Sequence, residues 1–360
     1  MKLKLNSLPS RTWNRLGMNE TFIALEGEFA NHTPEAVWDE KQVRWDPAAD
    51  WNTEEIGLGT GADTRTLTAP ASVGLVETAP DTVMEQPITL TWSYADGEEA
   101  VSRLVLHAAK NSTLSAVLLL RSPEMNSAGK AAVLTEIYAE ENATVNLYVA
   151  QLLGSEAVCI HDISGVCAED ATVNLTKLEL GAGKMYAGTQ IDLKGDRSNF
   201  NTEIAYHVLG GQLLDMNYVA LHHGKKTNSL MEVNGTLEEG ASKVFRGSID
   251  FQRGCAGSKG TENENVLLLG DKMVNQTIPL ILCKEEDVEG NHGASIGRLD
   301  DKVLFYLSTR GISEETAQQM IAQSRIETVC SKIPVEAIRE EAHNFECKRG
   351  GIYDVAEVQE

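Results

Sequence analysis

At 360 residues, 42% of them hydrophobic, the chain can bury a sizeable core and is too apolar to be disordered. Its 53 acidic residues against 31 basic ones give a formal net charge of −22, which excludes nucleic acid and anionic membrane as partners and favours a basic or neutral protein. Six cysteines, at 159, 167, 255, 283, 330 and 347, are too sparse for a disulfide framework and include no C-x-x-C pair, so reduced thiols in the cytoplasm are expected and a structural zinc site is not.

The amino terminus, MKLKLNSLPSRTW, lacks the apolar run of a secretion signal, and no stretch approaches a membrane span, since Leu114 to Leu120 stops at Arg121. Residues 1–85 have little periodicity, with Trp13, Trp38, Trp45 and Trp51 set among Pro, Asn and acidic residues, and predict an irregular region. Gly57-Leu58-Gly59-Thr60-Gly61 lacks the spacing and the preceding strand of a dinucleotide loop and predicts a flexible turn.

From residue 86 the texture changes. Ile88, Leu90, Trp92 and Tyr94 alternate with polar residues, the period of a half-buried strand, and Ala95-Asp96-Gly97-Glu98 supplies a turn. Ala143-Thr144-Val145-Asn146-Leu147 recurs as Ala171-Thr172-Val173-Asn174-Leu175, with echoes beginning at Ser198 and Thr227, so the spacings are 28, 27 and 29 residues. A near-constant period built of strand and turn predicts the stacked coils of a β-solenoid over residues 86–295, with a β-sandwich as the rival.

Residues 296–360 predict helices. Ser313 caps one whose apolar face runs through Ala317, Met320 and Ile321. Val335, Ile338, Ala342 and Phe345 share a face of a second, begun by Pro334 and stopped at Gly350. The pair either caps the stack or docks a partner, and the last ten residues form a loose tail.

Several motifs fail as sites. Gly181-Ala182-Gly183-Lys184 has Met185 where a P-loop needs Ser or Thr, so this chain binds no nucleotide by that route. His222 and His223 are adjacent and point to opposite faces of a strand, one into the core and one outward. Cys159 and His161 share a face near Cys167 and offer soft ligands, though buried cysteine without a metal is the commoner case.

The informative stretch is residues 261–312. Strands end at Cys283, an acidic loop follows with Glu285, Glu286, Asp287 and Glu289, and His292 stands between Asn291 and Gly293 with Gly290 nearby. Imidazole, thiolate and carboxylate from His292, Cys283 and Glu286 can together receive ferrous iron if the glycines let the ring swing.

This stretch resembles the SufB/SufD family of iron–sulfur cluster assembly proteins, through NVLLLGDK followed by TIP, then EEDV, HGASIGRLD and LFYLSTRGIS. LHHGKKTNS and FRGSIDF upstream fit the same family, and LPSRTWNRLGMN is similar to a SufD opening. The resemblance implies a mainly β chain: a right-handed parallel β-helix with an irregular amino-terminal region and a carboxy-terminal α-helical domain. It implies a non-catalytic scaffold that pairs with a SufB-like subunit, receives sulfur from a donor protein through the complex and holds a transient iron–sulfur cluster at the subunit interface. It further implies that a SufC-type ABC ATPase docks on the helical domain, with Phe305, Tyr306, Arg310, Gly311, Met320 and Ile321 as docking residues. His292 matches the SufD histidine implicated in holding the cluster. Two positions depart: Gly290 stands where many SufD proteins have cysteine, and Glu264 where SufB has one. A minimal homodimeric scaffold is the first alternative. A β-helix polysaccharide-active enzyme is the second, disfavoured by the few aromatic residues of the middle region.

Overall fold

The computed structural model describes residues 1–12, 14–39, 41–51 and 56–350. Trp13 and the tail expected at 351–360 lie outside the described residues. The alternating pattern folds into a β-solenoid of about eight turns, whose strands divide between two long sheets. Sheet 1 runs from Val43–Asp46 through Val73–Thr78, Glu98–Ala108, Ala128–Ala139, Glu156–Cys167, Lys184–Leu193, Leu213–His222 and Ser242–Phe251 to Val274–Cys283. Sheet 2 runs from Glu35–Val37 through Ile88–Ser93, Thr113–Arg121, Thr144–Leu152, Thr172–Glu179, Asn199–Val208, Asn228–Glu238 and Ser258–Leu269 to Val288–Gly297. Consecutive strands from Val73 onward alternate between the sheets, and neighbours within a sheet are parallel and one coil apart. The first strand of each sheet pairs antiparallel, which is how the less periodic amino-terminal region joins the stack.

The repeat has a direct cause in this stack. Val145, Asn146 and Leu147 lie beside Val173, Asn174 and Leu175 one coil on, so the recurring pentapeptide is one rung repeated. Asn174 donates from Nδ2 to Asn146 Oδ1 at 2.9 Å, and Asn201 donates to Asn174 Oδ1 at 2.9 Å, forming an outward asparagine ladder while the valines and leucines face the core. At one corner Asp81, Asn111, Asn142, Asp170, Arg197 and Lys226 hold φ of 58, 60, 57, 58, 60 and 55°. Each such residue donates its N–H across to the next coil, as Asn142 does to Glu169 and Asp170 to Asp196, both at 2.9 Å. Asn and Asp tolerate this left-handed backbone best, and four of the six corners use them.

Two outer layers cover the sheets. On sheet 1, Leu3, Leu5, Leu25 and Leu67 pack on Val101, Ala132, Ile160 and Tyr186. Buried polar groups fix this layer: Thr60 donates from its N–H and Oγ1 to Asp162 Oδ2 at 2.5 and 2.7 Å, and Asn6 and Arg246 both donate to Asp215. In the Gly57–Gly61 segment, expected as a flexible turn, Gly59 and Thr60 are buried in this layer while Gly57 stays exposed. A Cβ on Gly59 would stand 2.0 Å from the N of Thr189, so glycine is what allows two backbones to touch.

The helices are α1 (Ala62–Thr68), α2 (Asp301–Ser308), α3 (Glu314–Cys330) and α4 (Glu336–Gly350). Ser313 caps α3 as expected, its Oγ accepting from Thr316 N. On the outside of sheet 2, Ile326, Val329, Cys330, Ile333, Ile338 and Ala342 pack against Val117, Leu119, Ala150, Leu152, Leu178, Leu180 and Ala205. The helices therefore flank the stack instead of capping its end. The face of α4 is as expected, with Val335 and Phe345 at its margin. That of α3 is rotated: Ala317 is buried, but Met320 is half exposed and the stripe continues through Ala322 and Ile326. The outward leucines and alanines of sheet 2 select that stripe, which local apolarity alone did not reveal. The carboxy end of α4 is tied down by His207, which stands between Glu346 and Glu238, and by Arg349, which donates to the His207 carbonyl at 2.9 Å. Burial works against a charge on His207, yet the two carboxylates outweigh it and hold its pKa up at about 9.

Candidate functional site

The carboxy end of the solenoid is open. Among the described residues, strand Val288–Gly297 pairs on one side only, with Ser258–Leu269, and residues 289–297 are all exposed. Val274–Cys283 is likewise bound only to Ser242–Phe251. Two unpaired edges and the apolar Ile296 and Val274, 47% and 48% exposed, thus end the stack.

Beneath this end the inner face changes from apolar to charged. One inward column runs Thr202, Met231, Glu262, His292, and its neighbour runs Ile204, Val233, Glu264, Ala294. From sheet 1, Lys243 reaches across the interior and donates from Nζ to Glu264 Oε1 at 2.5 Å and to Thr277 Oγ1 at 3.0 Å. Thr277 donates to Glu264 Oε2 at 2.6 Å, and the Tyr206 hydroxyl to Oε1 at 3.1 Å. Tyr206 has room because Gly235 lies beside it in register, where a Cβ would meet the ring at 1.9 Å.

Glu262 and Glu264 are both 1% exposed, and Oε2 of Glu262 has no hydrogen-bond partner. Burial first, and then the neighbouring Glu264 charge, push the Glu262 carboxyl up to about 7, with Lys243 pulling the other way. Burial likewise lowers the Lys243 ammonium against the pull of Glu264. This buried acid–base cluster was not assembled by sequence reading. Its signal is parity: Glu262, Glu264 and Val266 alternate with Asn263 and Asn265, which puts two acids on the core face.

The expected iron ligands are placed differently from expectation. His292 lies in the edge strand and not in a swinging loop, opposite Glu262 in register. Cys283 ends the preceding strand and is exposed, and Glu286 is exposed at the corner between them. His292 is four residues beyond the start of its strand, about 13 Å along at ~3.3 Å per residue, so these three do not converge. Among the described residues no group of three His, Cys, Asp or Glu side chains can hold a metal ion.

The other candidates resolve plainly. His222 is buried and bonds Thr227 and Ser229 at 2.7 and 2.9 Å, and burial followed by the His223 charge lowers its pKa to about 3. His223 faces outward against Asp192 at 2.6 Å. Cys159 and His161 are interior, where burial raises the thiol and lowers the imidazole. Gly183 leads into a strand, Lys184–Leu193, where a P-loop requires a helix.

Of the residues expected to dock a partner, Phe305, Tyr306 and Met320 are 72%, 55% and 50% exposed, alongside Val303. The α2 helix buries none of its side chains. Arg310 stacks its guanidinium 5.0 Å from the Tyr306 ring centre, and Gly311, at φ 83°, turns the chain towards α3. Ile321 is only partly exposed. No helix among the described residues is long and apolar enough to cross a membrane.

The family model described as SUF system FeS cluster assembly, SufBD core domain, matches residues 91–325. The chain belongs to the SufB/SufD family. It is 26% identical to the iron–sulfur cluster assembly protein SufD of Bacillus subtilis (strain 168) over 214 residues, 58% of this chain and 48% of that protein. To SufB of the same organism it is 27% identical over 171 residues, 48% of this chain and 37% of that protein. The SufBD family protein PH1385 of Pyrococcus horikoshii is 27% identical over 220 residues, covering 58% of this chain and 46% of that protein. This SufB/SufD-family chain thus spans about half the length, or less, of these relatives. The matched segment contains the whole charged cluster and His292.

Proposed function

We propose that this chain is a non-catalytic scaffold subunit of a SUF-type complex that pairs through its open end with a SufB-like subunit. The observation that carries this reading is the ten-residue strand Val288–Gly297, bound on one side and exposed along its length, with His292 fifth in it. Two such edges related by a two-fold axis pair antiparallel, which brings the middle of one strand against the middle of the other. Pairing therefore carries His292 to the interface, where its imidazole meets the partner's ligands around a transient iron–sulfur cluster, the cargo of the complex. Because the edge is self-complementary under the same two-fold, a homodimer is the second reading. Sulfur arrives from a donor protein through the assembled complex.

The exposed patch of Val303, Phe305, Tyr306 and Met320 docks a SufC-type ATPase, which binds the nucleotide in place of this chain. Deleting residues 312–349 would not test this, because it strips the apolar cover from sheet 2. Phe305→Asp combined with Met320→Asp leaves that cover intact. The pair is expected to weaken ATPase binding by about 30-fold or more, as loss of a hot-spot anchor does, with an unchanged circular dichroism spectrum. Full binding by this variant would reject the patch.

The central test is anaerobic co-purification with the SufB-like and ATPase subunits, followed by reconstitution with iron and sulfide. His292→Ala is expected to leave the complex assembled and to reduce cluster content about tenfold or more. Wild-type cluster content and lifetime in this variant would sink the assignment.

A further inference from the structure

The helical hairpin carries a side-chain cluster that scaffolding and docking do not use. Cys347 and His343 stand four residues apart on α4 and share a face. The Cys347 Sγ lies 3.5 Å from His343 Nε2, and His343 Nδ1 lies 2.5 Å from Glu327 Oε1 on α3. Gln323, one turn before Glu327, donates from Nε2 to the same sulfur at 3.4 Å. The His343 and Glu327 side chains are each 41% exposed and Cys347 partly so, and His343 opens on a surface depression of about 450 Å³.

We propose that Cys347, His343 and Glu327 form a nucleophilic thiol centre that exchanges with small disulfides. The order of contacts is that of an activated nucleophile: a thiol against a base, and the base oriented by a carboxylate. Glu327 fixes the ring with Nε2 towards sulfur, where it can take the thiol proton, and the Gln323 N–H donates to the same sulfur. The carbonyls ending α4 oppose a negative charge there. Arg339 and Glu340 line the same depression, but Arg339 is committed to the Ile333 carbonyl at 2.6 Å. A metal is a poorer fit. With Glu327 spent on Nδ1, only Sγ and Nε2 remain as donors, and no three-ligand group exists among the described residues.

In the exchange, the Cys347 thiolate attacks one sulfur of the disulfide. The new S–S bond forms as the old one breaks, so Cys347 is oxidised and the departing sulfur is reduced to a thiolate. That thiolate takes the proton from His343. The product is a mixed disulfide on α4 and one equivalent of thiol.

The test uses the full chain, with the exposed Cys283 as internal reference. Iodoacetamide labelling of each cysteine is followed by peptide mass spectrometry from pH 5 to 9, and glutathione disulfide is then used as the exchange probe. The Cys347 labelling midpoint is expected at least about one unit below the ordinary ~8.5 of a thiol. His343→Gln and Glu327→Gln each move it upward and leave the Cys283 profile in place. At pH 7 the mixed disulfide forms on Cys347 about threefold faster than on Cys283, a limited gain because a less basic thiolate is also a weaker nucleophile. An ordinary midpoint in the wild-type chain, or one that neither substitution moves, would overturn the proposal.

Discussion

Lys243→Met is expected to lower the stability of the folded chain by about 3–5 kcal/mol, the usual result of removing one partner of a buried ion pair. Lys243 and Glu264 are both essentially inaccessible to solvent, and among the described residues the ammonium is the only cation bonded to that carboxylate. Methionine fills the same space without charge, so packing changes little and electrostatics dominates. The Tyr206 and Thr277 hydroxyls would still donate to Glu264, but the second buried acid, Glu262, would then have no cation to offset it. Chemical denaturation measures the change. Adding Glu264→Gln to Lys243→Met removes the stranded charge and is expected to recover a large part of the loss, since the two sites are directly coupled. A single-variant loss below about 1 kcal/mol would mean that water or another group compensates Glu264, and the dry charged cluster would not exist.

The sequence carried the architecture further than it carried the site. The recurrence of Ala143–Leu147 at Ala171–Leu175 is legible because stacked rungs impose the same demands on each coil: valine and leucine inward, asparagine outward to its neighbour. The corner residues are partly legible, since Asn142 and Asp170 mark left-handed positions but Arg197 and Lys226 do not look like turns. His292 was visible, while its setting was not. Gly290 and Gly293 suggest a loop, yet the register of Ser258–Leu269 holds the segment as a strand. The α3 face was misjudged for a related reason, because its buried stripe is chosen by a sheet more than 100 residues earlier in the chain. The Lys243 and Glu264 pair spans two sheets, and no local pattern announces which inward positions face each other across the solenoid.

Glu262→Gln is expected to stabilise the chain, and by an amount that grows with pH. The Glu262 carboxyl titrates at about 7 in the folded chain against about 4.3 when unfolded, so folding favours its protonated form. The sign follows from linkage: with the folded pKa raised, the full stability is present below the unfolded pKa and is lost as pH rises through the folded one. Glutamine does not titrate. Its advantage over the wild type is therefore expected to be about 2–3 kcal/mol larger at pH 8 than at pH 5, measured as paired denaturation curves at each pH. Parallel pH dependence in the two chains would place the titration elsewhere. Glu262 is the rung directly beneath His292, with one carboxylate oxygen that no group among the described residues engages. If the edge strand pairs as proposed, a carboxyl half protonated near neutrality could exchange a proton as charge arrives above it, whereas a carboxylate at the ordinary pKa could not. In the reconstituted complex, Glu262→Gln should accordingly separate the two roles: the scaffold becomes more stable, while cluster formation loses its pH dependence between about 6 and 8.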